Sequence, residues 1–144
     1  MIETKFRAWD KADEVMCNVT YIKFSEAQYM NVGYRKNVNG KVIDENSLLD
    51  KNMEGTCVLM RYTGKCDMSG EDVYEGDVIE NQDGVRMEIK YGLHDEYCRV
   101  DRCDMDSVGF YAVGEGLPEM PIGCLEDYAM VVGNVWEKPS LKIH

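Results

Sequence analysis

Apolar and polar residues alternate along several short stretches of the chain, which is the pattern of β-strands that bury one face. A weakly alternating run over 2–9 and a clearer one over 15–21 are separated by a short polar segment, so together they predict an antiparallel hairpin. The pair Asn39-Gly40 predicts a second hairpin, because both residues adopt positive φ readily. The segment 47–49, with acidic neighbours, is interpreted as one helical turn.

The second half of the chain alternates more regularly. The stretch 84–91 predicts a strand with its charged residues outside and four apolar residues inside, at Val85, Met87, Ile89 and Tyr91. Further strands are predicted over 56–62, over 73–79 with a corner at Gly76, over 108–113 and over 129–136. No long amphipathic helix pattern occurs, so the predicted fold is mostly β, a small barrel or sandwich with an added N-terminal hairpin and little helix.

Composition and charge narrow the possible functions. With 144 residues, 44% hydrophobic and 30% charged, the chain fits one soluble domain over 1–144, with N-terminal hairpins and a variable insert over 1–55 and an acidic β-barrel part over 56–144. The net charge of −11 argues against direct nucleic-acid binding. No signal peptide and no apolar run of membrane-spanning length is apparent, so we expect a cytoplasmic protein and no membrane partner.

The charge is divided unevenly along the chain. Residues 1–65 hold ten Lys or Arg and nine Asp or Glu, whereas residues 66–144 hold six bases and 18 acids. A solvated acidic face is the ordinary explanation of such a bias. The alternative is an acidic surface that meets a basic partner, either another protein or the other half of a second copy.

Cysteine and histidine positions offer little catalytic chemistry. The six cysteines contain no Cys-x-x-Cys pair, so we expect reduced thiols without disulfides. His94, Cys98 and Cys103 form a loose cluster that could hold a soft metal ion, although the spacing matches no tight site. A metal-dependent hydrolase using this region is therefore one alternative. A calcium loop over 104–115 is another, but Val108 stands at its fifth position and has no side-chain oxygen.

Three motifs occur in order along the chain: Lys5-Phe6-Arg7-Ala8-Trp9-Asp10 at the start, Tyr62-Thr63-Gly64-Lys65-Cys66-Asp67 leading through Gly70 into Tyr74-Glu75-Gly76-Asp77, and Gly133-Asn134-Val135-Trp136-Glu137-Lys138-Pro139 near the end. Together they resemble the YopX family of bacteriophage and prophage proteins, whose members share a K-F-R-A-W-D start, a Y-T-G-x-x-D-x-x-G-x-x-x-Y-E-G-D core and a G-N-x-x-E-x-P end. The resemblance reaches both termini, whereas 18–55 and 92–125 have no counterpart that we can match.

The resemblance implies a mostly β fold with an SH3-like barrel element, and an origin in phages or prophages of the bacterial cytoplasm. It implies no catalytic residues and no cofactor, because the family has no assigned biochemical function. This chain departs from the family in one loop, where Cys66, Met68 and Ser69 replace a more charged sequence. Any role of that loop in the family is therefore not transferred.

We interpret the motifs first as structural. Glycine at Gly76 permits a turn at positive φ, Asp77 can accept local backbone N–H groups, and Pro139 is expected to end the last strand. The second interpretation is a cation–aromatic patch that faces a partner, formed by Arg7, Trp9, Arg61, Tyr62 and Trp136.

The sequence thus favours a non-enzymatic interaction module over an enzyme. The charge bias predicts a homo-oligomer whose interface draws on residues 1–40, with the acidic half of a neighbour as the opposite surface. The alternative is an acidic decoy that occupies the basic surface of a DNA-binding protein.

Overall fold

The computed structural model describes residues 5–25, 27–98 and 103–143, with their side chains except at 94–98 and 103–107. Short strands dominate this part of the chain: β1 (Phe6–Asp10), β2 (Val15–Phe24), β3 (Met30–Val38), β4 (Lys41–Leu49), β5 (Cys57–Cys66), β6 (Asp72–Tyr74), β7 (Asp77–Asn81), β8 (Arg86–Cys98), β9 (Cys103–Gly114), β10 (Met120–Pro121) and β11 (Ala129–Asn134). Two single-turn 3-10 helices, Leu125–Asp127 and Pro139–Leu141, complete the described elements. The prediction of a mostly β fold with little helix is confirmed.

The strands form two antiparallel sheets, ordered β4-β3-β2-β1-β5-β6 and β10-β9-β8-β7-β11. Neither sheet closes on itself over the described strands, so the SH3-like barrel is not confirmed. The backbone divides into two compact units, which we call unit 1 (Met1–Tyr62) and unit 2 (Thr63–His144). The single domain with parts at 1–55 and 56–144 stays a prediction. Within the described residues, no helix has the length and apolar character needed to cross a membrane.

Unit 1 is built on the predicted N-terminal hairpin. β1 pairs with β2 on one side and with β5 on the other, so that Ala8 lies opposite both Cys17 and Leu59. Because residues directly opposite each other share a face, this register gathers apolar side chains on one side of the sheet. The buried core of unit 1 consists of Ala8, Cys17, Val32, Tyr34, Leu49, Cys57 and Leu59.

Two local predictions in unit 1 have opposite outcomes. The Asn39-Gly40 hairpin is confirmed: Val38 pairs with Lys41, and φ is +52° at Asn39 and +80° at Gly40. The helical turn at 47–49 is wrong, because these residues continue β4 and pair with β3. Burial alternates there as in a strand, with a buried residue on either side of an exposed one.

A bulge shifts the pattern within β2. The register to β3 slips between Val19 and Tyr21, so Tyr21 loses the parity that it shares with Val15 in the sequence. Ile22, instead of Tyr21, packs against the core of unit 1. The ring of Tyr21 lies over Gly33, in the space that a Cβ there would need. Glycine at this position of β3 therefore leaves room for the aromatic ring.

Unit 2 has its own core, formed by Val73, Ile79, Met87, Ile89, Ala112, Leu125 and Ala129. The alternation predicted for 84–91 holds at Met87 and Ile89, whereas Val85 precedes the strand and is exposed, and Tyr91, predicted to be inside, is 39% exposed. The prediction that charges face outward is wrong at Glu88, which is 6% exposed. Val78, opposite Glu88 on β7, is fully buried, so both faces of the sheet are covered at this point.

β8 and β9 pair along their whole length, from Met87 opposite Gly114 to Cys98 opposite Cys103. The rings of Tyr91 and Phe110 lie opposite each other with centroids 4.9 Å apart, in an edge-on arrangement. The calcium-loop alternative is wrong, because Cys103–Gly114 is a strand.

Candidate functional site

The strand register separates members of the predicted partner patch. Arg7 and Trp9 lie on one face of β1, and Phe6 lies on the other. Arg61 is directly opposite Phe6 and therefore shares its face of the sheet, away from Arg7 and Trp9. The indole of Trp9 is buried, with 8% of the residue exposed. These three residues do not form one continuous surface.

The other two patch residues have local partners. The backbone N–H of Tyr62 donates to the carbonyl of Lys5 at 3.0 Å, and the Lys5 ammonium lies 4.6 Å from the centre of the Tyr62 ring. Trp136, in unit 2, is 37% exposed, and its backbone N–H donates to Asn134 Oδ1. Partner binding by these five residues stays a prediction.

A buried polar network joins the first motif to β3. Asp10 Oδ2 accepts hydrogen bonds from Tyr34 Oη at 2.7 Å and from Lys36 Nζ at 3.2 Å. Its other oxygen accepts the backbone N–H of Asp13 at 2.8 Å, and Lys36 also pairs with the Asp13 carboxylate. Asp10, Tyr34 and Lys36 are all buried. The last residue of the K-F-R-A-W-D motif therefore holds the β1–β2 turn and β3 together.

The charges of this network suit a structural ion pair. Burial alone would raise the pKa of Asp10, but hydrogen bonds from Asp13, Tyr34 and Lys36 outweigh it and leave that pKa below its ordinary value. The hydrogen bond to Asp13 and the pairing with Asp10 raise the pKa of Lys36. Burial and Asp10 raise the pKa of Tyr34. At neutral pH Asp10 is thus ionised and both donors keep their protons, so none of the three is prepared for proton transfer.

Two cysteines beside this network are protected from reaction. Burial and the charge of Asp10 raise the pKa of Cys17 to about 11. Burial also raises the pKa of Cys57, which is fully buried. A thiol reacts as its thiolate, so both cysteines are poor nucleophiles at neutral pH.

In unit 2, the motif residue Asp67 is buried and held by backbone groups. Its Oδ1 accepts the backbone N–H groups of Ser69 and Glu71, both at 2.9 Å, and the Ser69 hydroxyl at 2.7 Å. Its Oδ2 accepts the N–H of Val131 at 2.8 Å, which ties the loop to β11. Burial raises the pKa of Asp67, but these four bonds more than compensate and hold it below its ordinary value.

The glycine corner of the middle motif is formed as predicted. Gly76 has φ of +83°, and Asp77 Oδ2 accepts the backbone N–H of Tyr74 at 2.8 Å. The N–H of Gly76 donates to the carbonyl of Ile89 at 2.9 Å, so the corner is also attached to β8. Asp77 is buried, which confirms that its carboxylate fixes a turn.

The last motif forms another turn. Asn134 Oδ1 accepts the N–H groups of Trp136 and Glu137, and its side-chain amide donates to Glu137 Oε1 at 2.8 Å. β11 ends at Asn134, well before Pro139, so the expectation that Pro139 ends the strand is wrong. Pro139 instead begins a 3-10 helix, where its fixed φ is favourable.

Aromatic side chains are exposed at the end of the β2–β3 hairpin. Phe24, the last residue of β2, is 80% exposed, and Tyr21 and Tyr29 in the same part of the hairpin are partly exposed. Alternation along β2 places Phe24 on the face of Ile22, and Tyr21 and Lys23 on the opposite face. The Lys23 ammonium lies 5.1 Å from the centre of the Tyr21 ring. We call these four residues the aromatic tip. β2 ends at Phe24 and β3 begins at Met30, so these residues lie at or near the end of the hairpin, which the sequence pattern did not indicate.

Unit 2 contains an open apolar groove of about 420 Å³. We call it the apolar groove, and its lining residues are Met68, Glu80, Asn81, Gln82, Tyr128, Met130, Val131 and Val132. Met68 belongs to the loop that departs from the family sequence. Glu80 is the charged residue of the lining, and its Oε2 lies 3.5 Å from Arg86 Nε.

The predicted metal cluster lies outside the described side chains, because those of His94, Cys98 and Cys103 fall within 94–98 and 103–107. In the backbone register Cys98 and Cys103 are opposite each other. His94 is four residues along the same strand, about 13 Å from Cys98 at the usual rise. Among the side chains that are described, no three His, Cys, Asp or Glu come together as metal ligands.

Comparison with known proteins agrees with the motifs. The crystal structure of protein EF1440 from Enterococcus faecalis is similar to this chain, with a TM-score of 0.57 and 25% sequence identity over 98% of this chain and 99% of that one. None of the curated proteins matches the chain. The family model described as YopX protein matches residues 5–142, and the chain therefore belongs to the YopX family.

Proposed function

We propose that this protein is a non-enzymatic interaction module of phage or prophage origin that self-associates in the cytoplasm of its bacterial host. The observation that carries the proposal is Phe24, a large aromatic side chain with 80% of its surface exposed at the aromatic tip. Isolated exposed apolar residues are common on protein surfaces, but the end of this hairpin exposes aromatic side chains on both faces, Phe24 on one and Tyr21, with Lys23 over its ring, on the other. Aromatic residues are enriched at protein interfaces and in their binding hot spots.

The use of the motif side chains supports a role without catalysis. Asp10, Asp67, Asp77 and Asn134 are buried, and each accepts hydrogen bonds that hold a turn or a strand. Carboxylates that are committed in this way are not available as general acids or bases. We also propose that the fold contains the SH3-like barrel element that the family resemblance implies.

The apolar groove of a second copy is the proposed partner of the aromatic tip. Exposed methionines at Met68 and Met130 can adapt to an inserted ring, because their side chains are flexible and polarisable. Full burial of one Phe side chain is worth about 1.5–3 kcal/mol. Lys23 of the tip and Glu80 of the groove carry opposite charges, which favours a contact in which Lys23 lies near Glu80.

The charge of the two units supports the same pairing. Unit 1 holds nine bases and nine acids, whereas unit 2 holds seven bases and 18 acids and has a net charge of −11. Two copies of unit 2 repel each other, while unit 1 of one copy and unit 2 of another do not. A tip-to-groove contact is heterologous, so it forms a closed ring or a filament.

Light scattering on full-length protein and on Phe24→Ser tests the proposal. We expect an oligomer for the natural sequence at micromolar concentration and a monomer for the variant. Val42→Ser is the matched control, because Val42 is exposed and apolar in unit 1 but lies away from the tip on β4. About 0.5 M salt should weaken the assembly without abolishing it, because screening affects charges more than apolar burial.

A mixing experiment separates this contact from a symmetric one. Phe24→Ser keeps its groove, and Met130→Glu keeps its tip. If the interface is heterologous, each variant alone is monomeric but an equal mixture forms a one-to-one dimer. A monomeric natural protein, or an oligomer that Phe24→Ser leaves intact, would contradict the proposal.

The charge of unit 2 favours one second candidate, an acidic decoy for the basic surface of a DNA-binding protein. A decoy should compete with duplex DNA for a purified basic DNA-binding protein, and high salt should abolish the competition. The Phe24→Ser variant keeps every acid of unit 2. If it competes with DNA as strongly as the natural protein does, and salt abolishes that competition, the result would favour the decoy.

A further inference from the structure

The structure points to a site that the sequence spacing does not reveal. We propose that Cys98 and Cys103 form a thiol–disulfide pair across the β8–β9 ribbon. The two residues are direct register partners at the outer end of that ribbon. Opposed residues of an antiparallel pair have Cα atoms about 4.5 or 5.5 Å apart. Both separations lie within the range of about 4.4–6.8 Å that a disulfide bridges.

The register also excludes a disulfide between Cys17 and Cys57, which lie in the same sheet. Cys17 lies on β2 and Cys57 on β5, and β1 runs between these strands. Two strand spacings of about 9.5 Å, and an offset of two residues along the strands, separate them, which is beyond the reach of a disulfide without backbone movement. Both thiols are buried and have raised pKa values, so they react slowly with an oxidant.

The proposed reaction is exchange with a low-molecular-weight disulfide such as oxidised glutathione. The thiolate of one cysteine attacks the oxidant, forming a mixed disulfide and releasing one molecule of reduced thiol. The thiolate of the second cysteine then attacks the protein sulfur of the mixed disulfide, and a second molecule of reduced thiol leaves. The two cysteines together lose two protons and two electrons, and these appear on the two released thiols. The disulfide then links the end of β8 to the start of β9.

This inference does not depend on the proposed self-association. It also leaves the expectation of reduced thiols in a reducing compartment intact, because the pair closes only when an oxidant is supplied. The pair would make the end of the ribbon a redox-sensitive modification site.

Peptide mapping of the full-length protein after exposure to oxidised glutathione tests the inference. Trypsin cuts after Arg99 and Arg102, between the two cysteines, and a Glu-specific protease cuts after Glu115 and Glu119, before Cys124. Peptides containing Cys98 and Cys103 therefore stay together only through a disulfide. We expect this linked pair at least about tenfold above any other cysteine-linked peptide, because the two residues are direct register partners within one chain.

Two variants complete the experiment. Cys103→Ser should lose the linked pair and instead accumulate glutathione on Cys98, whereas Cys124→Ser should form the pair as the natural sequence does. Persistent glutathione on both Cys98 and Cys103 of the natural protein would overturn the inference, as would Cys98 linked mainly to Cys66 or Cys124. Free thiols at both positions after complete equilibration with the oxidant would overturn it as well.

Discussion

Units 1 and 2 each bury a carboxylate from a sequence motif, and they satisfy it with different chemistry. In unit 1 the Asp10 carboxylate faces a buried cation, Lys36, and a buried hydroxyl, Tyr34. In unit 2 the Asp67 carboxylate accepts three backbone N–H groups and the Ser69 hydroxyl, and none of its hydrogen-bond donors is a cation. Both arrangements lower the pKa of the carboxyl group in spite of burial.

The difference follows from what each unit has available. Unit 1 has as many bases as acids, whereas unit 2 has 18 acids for seven bases. An acidic unit can bury a carboxylate by directing backbone amides at it, since these donors carry no net charge to be balanced. Two backbone donors to Asp67 lie in its own loop, at Ser69 and Glu71, and the third, Val131, lies 64 positions away on β11, whereas the ion pair of unit 1 joins side chains 26 positions apart.

The largest effect is expected from breaking the ion pair in unit 1. Asp10→Ala removes the acceptor of Tyr34 and one of the two carboxylates that face Lys36, so a buried cation loses half of its compensation. We expect a loss of about 3–5 kcal/mol in the free energy of unfolding, measured by denaturant titration.

Asp44→Ala is the matched control for that variant. Asp44 Oδ1 lies 2.8 Å from Arg35 Nε on the β3–β4 hairpin, which also contains Lys36, but both side chains of this pair are exposed. Its removal should leave the free energy of unfolding within experimental error of the natural protein. Equal losses for the two variants would show that the Asp10 pair is no more than a surface contact.

In unit 2, Asp67→Asn tests the backbone solution. Asparagine keeps one acceptor oxygen but turns a donor towards either Val131 or the 69–71 loop, so one or more N–H groups lose their partner. We expect a loss of about 2 kcal/mol at neutral pH. Asp67→Asn stability equal to that of the natural protein would indicate that the loop bonds are replaceable by water.

The stability difference between the natural protein and Asp67→Asn should depend on pH in a defined direction. The pKa of Asp67 is lowered by folding, so its contribution is present above the unfolded value near pH 4 and is lost as pH falls through the folded pKa. The difference between the natural protein and Asp67→Asn should therefore shrink on acidification below about pH 4. A difference that stays constant down to pH 2 would contradict the lowered pKa.

A smaller loss is expected at the glycine corner of unit 2. Gly76→Ala places a Cβ at φ of +83°, which costs about 1–2 kcal/mol. Gly109→Ala is the control, because Gly109 lies in β9 with open space around the position of a Cβ. Thermal unfolding should separate the two variants, and a Gly109→Ala loss as large as that of Gly76→Ala would argue against a conformational cost.

Much of the fold could be predicted where one rule governs a short segment. The Asn39-Gly40 turn and the Gly76–Asp77 corner follow from the φ preferences and hydrogen bonding of a few adjacent residues. The alternation of apolar and polar residues predicts burial wrongly where a bulge shifts the strand or where both faces of the sheet are covered. The bulge before Tyr21 shifts the parity, and Glu88 is buried because both faces are covered.

The candidate site was harder to predict, because it depends on strand pairing. Arg61 lies opposite Phe6, and because successive strand residues point to opposite faces, Arg61 is separated from Arg7 and Trp9. The Asp10–Lys36 pair was missed for the same reason. One signal was present: Lys36 shares the parity of Val32 and Tyr34 in β3, and a lysine on an inward face needs a buried partner.

An NMR titration of the side-chain carboxyl groups, in the natural protein and in Lys36→Met, tests most directly whether the two units satisfy their carboxylates differently. In the natural protein, both Asp10 and Asp67 should titrate below the ordinary value of 3.8. In Lys36→Met the pKa of Asp10 should rise, because a hydrogen bond and a positive charge are lost, while the pKa of Asp67 should not change. An Asp10 value that ignores the loss of Lys36, or an Asp67 value that moves with it, would contradict the account.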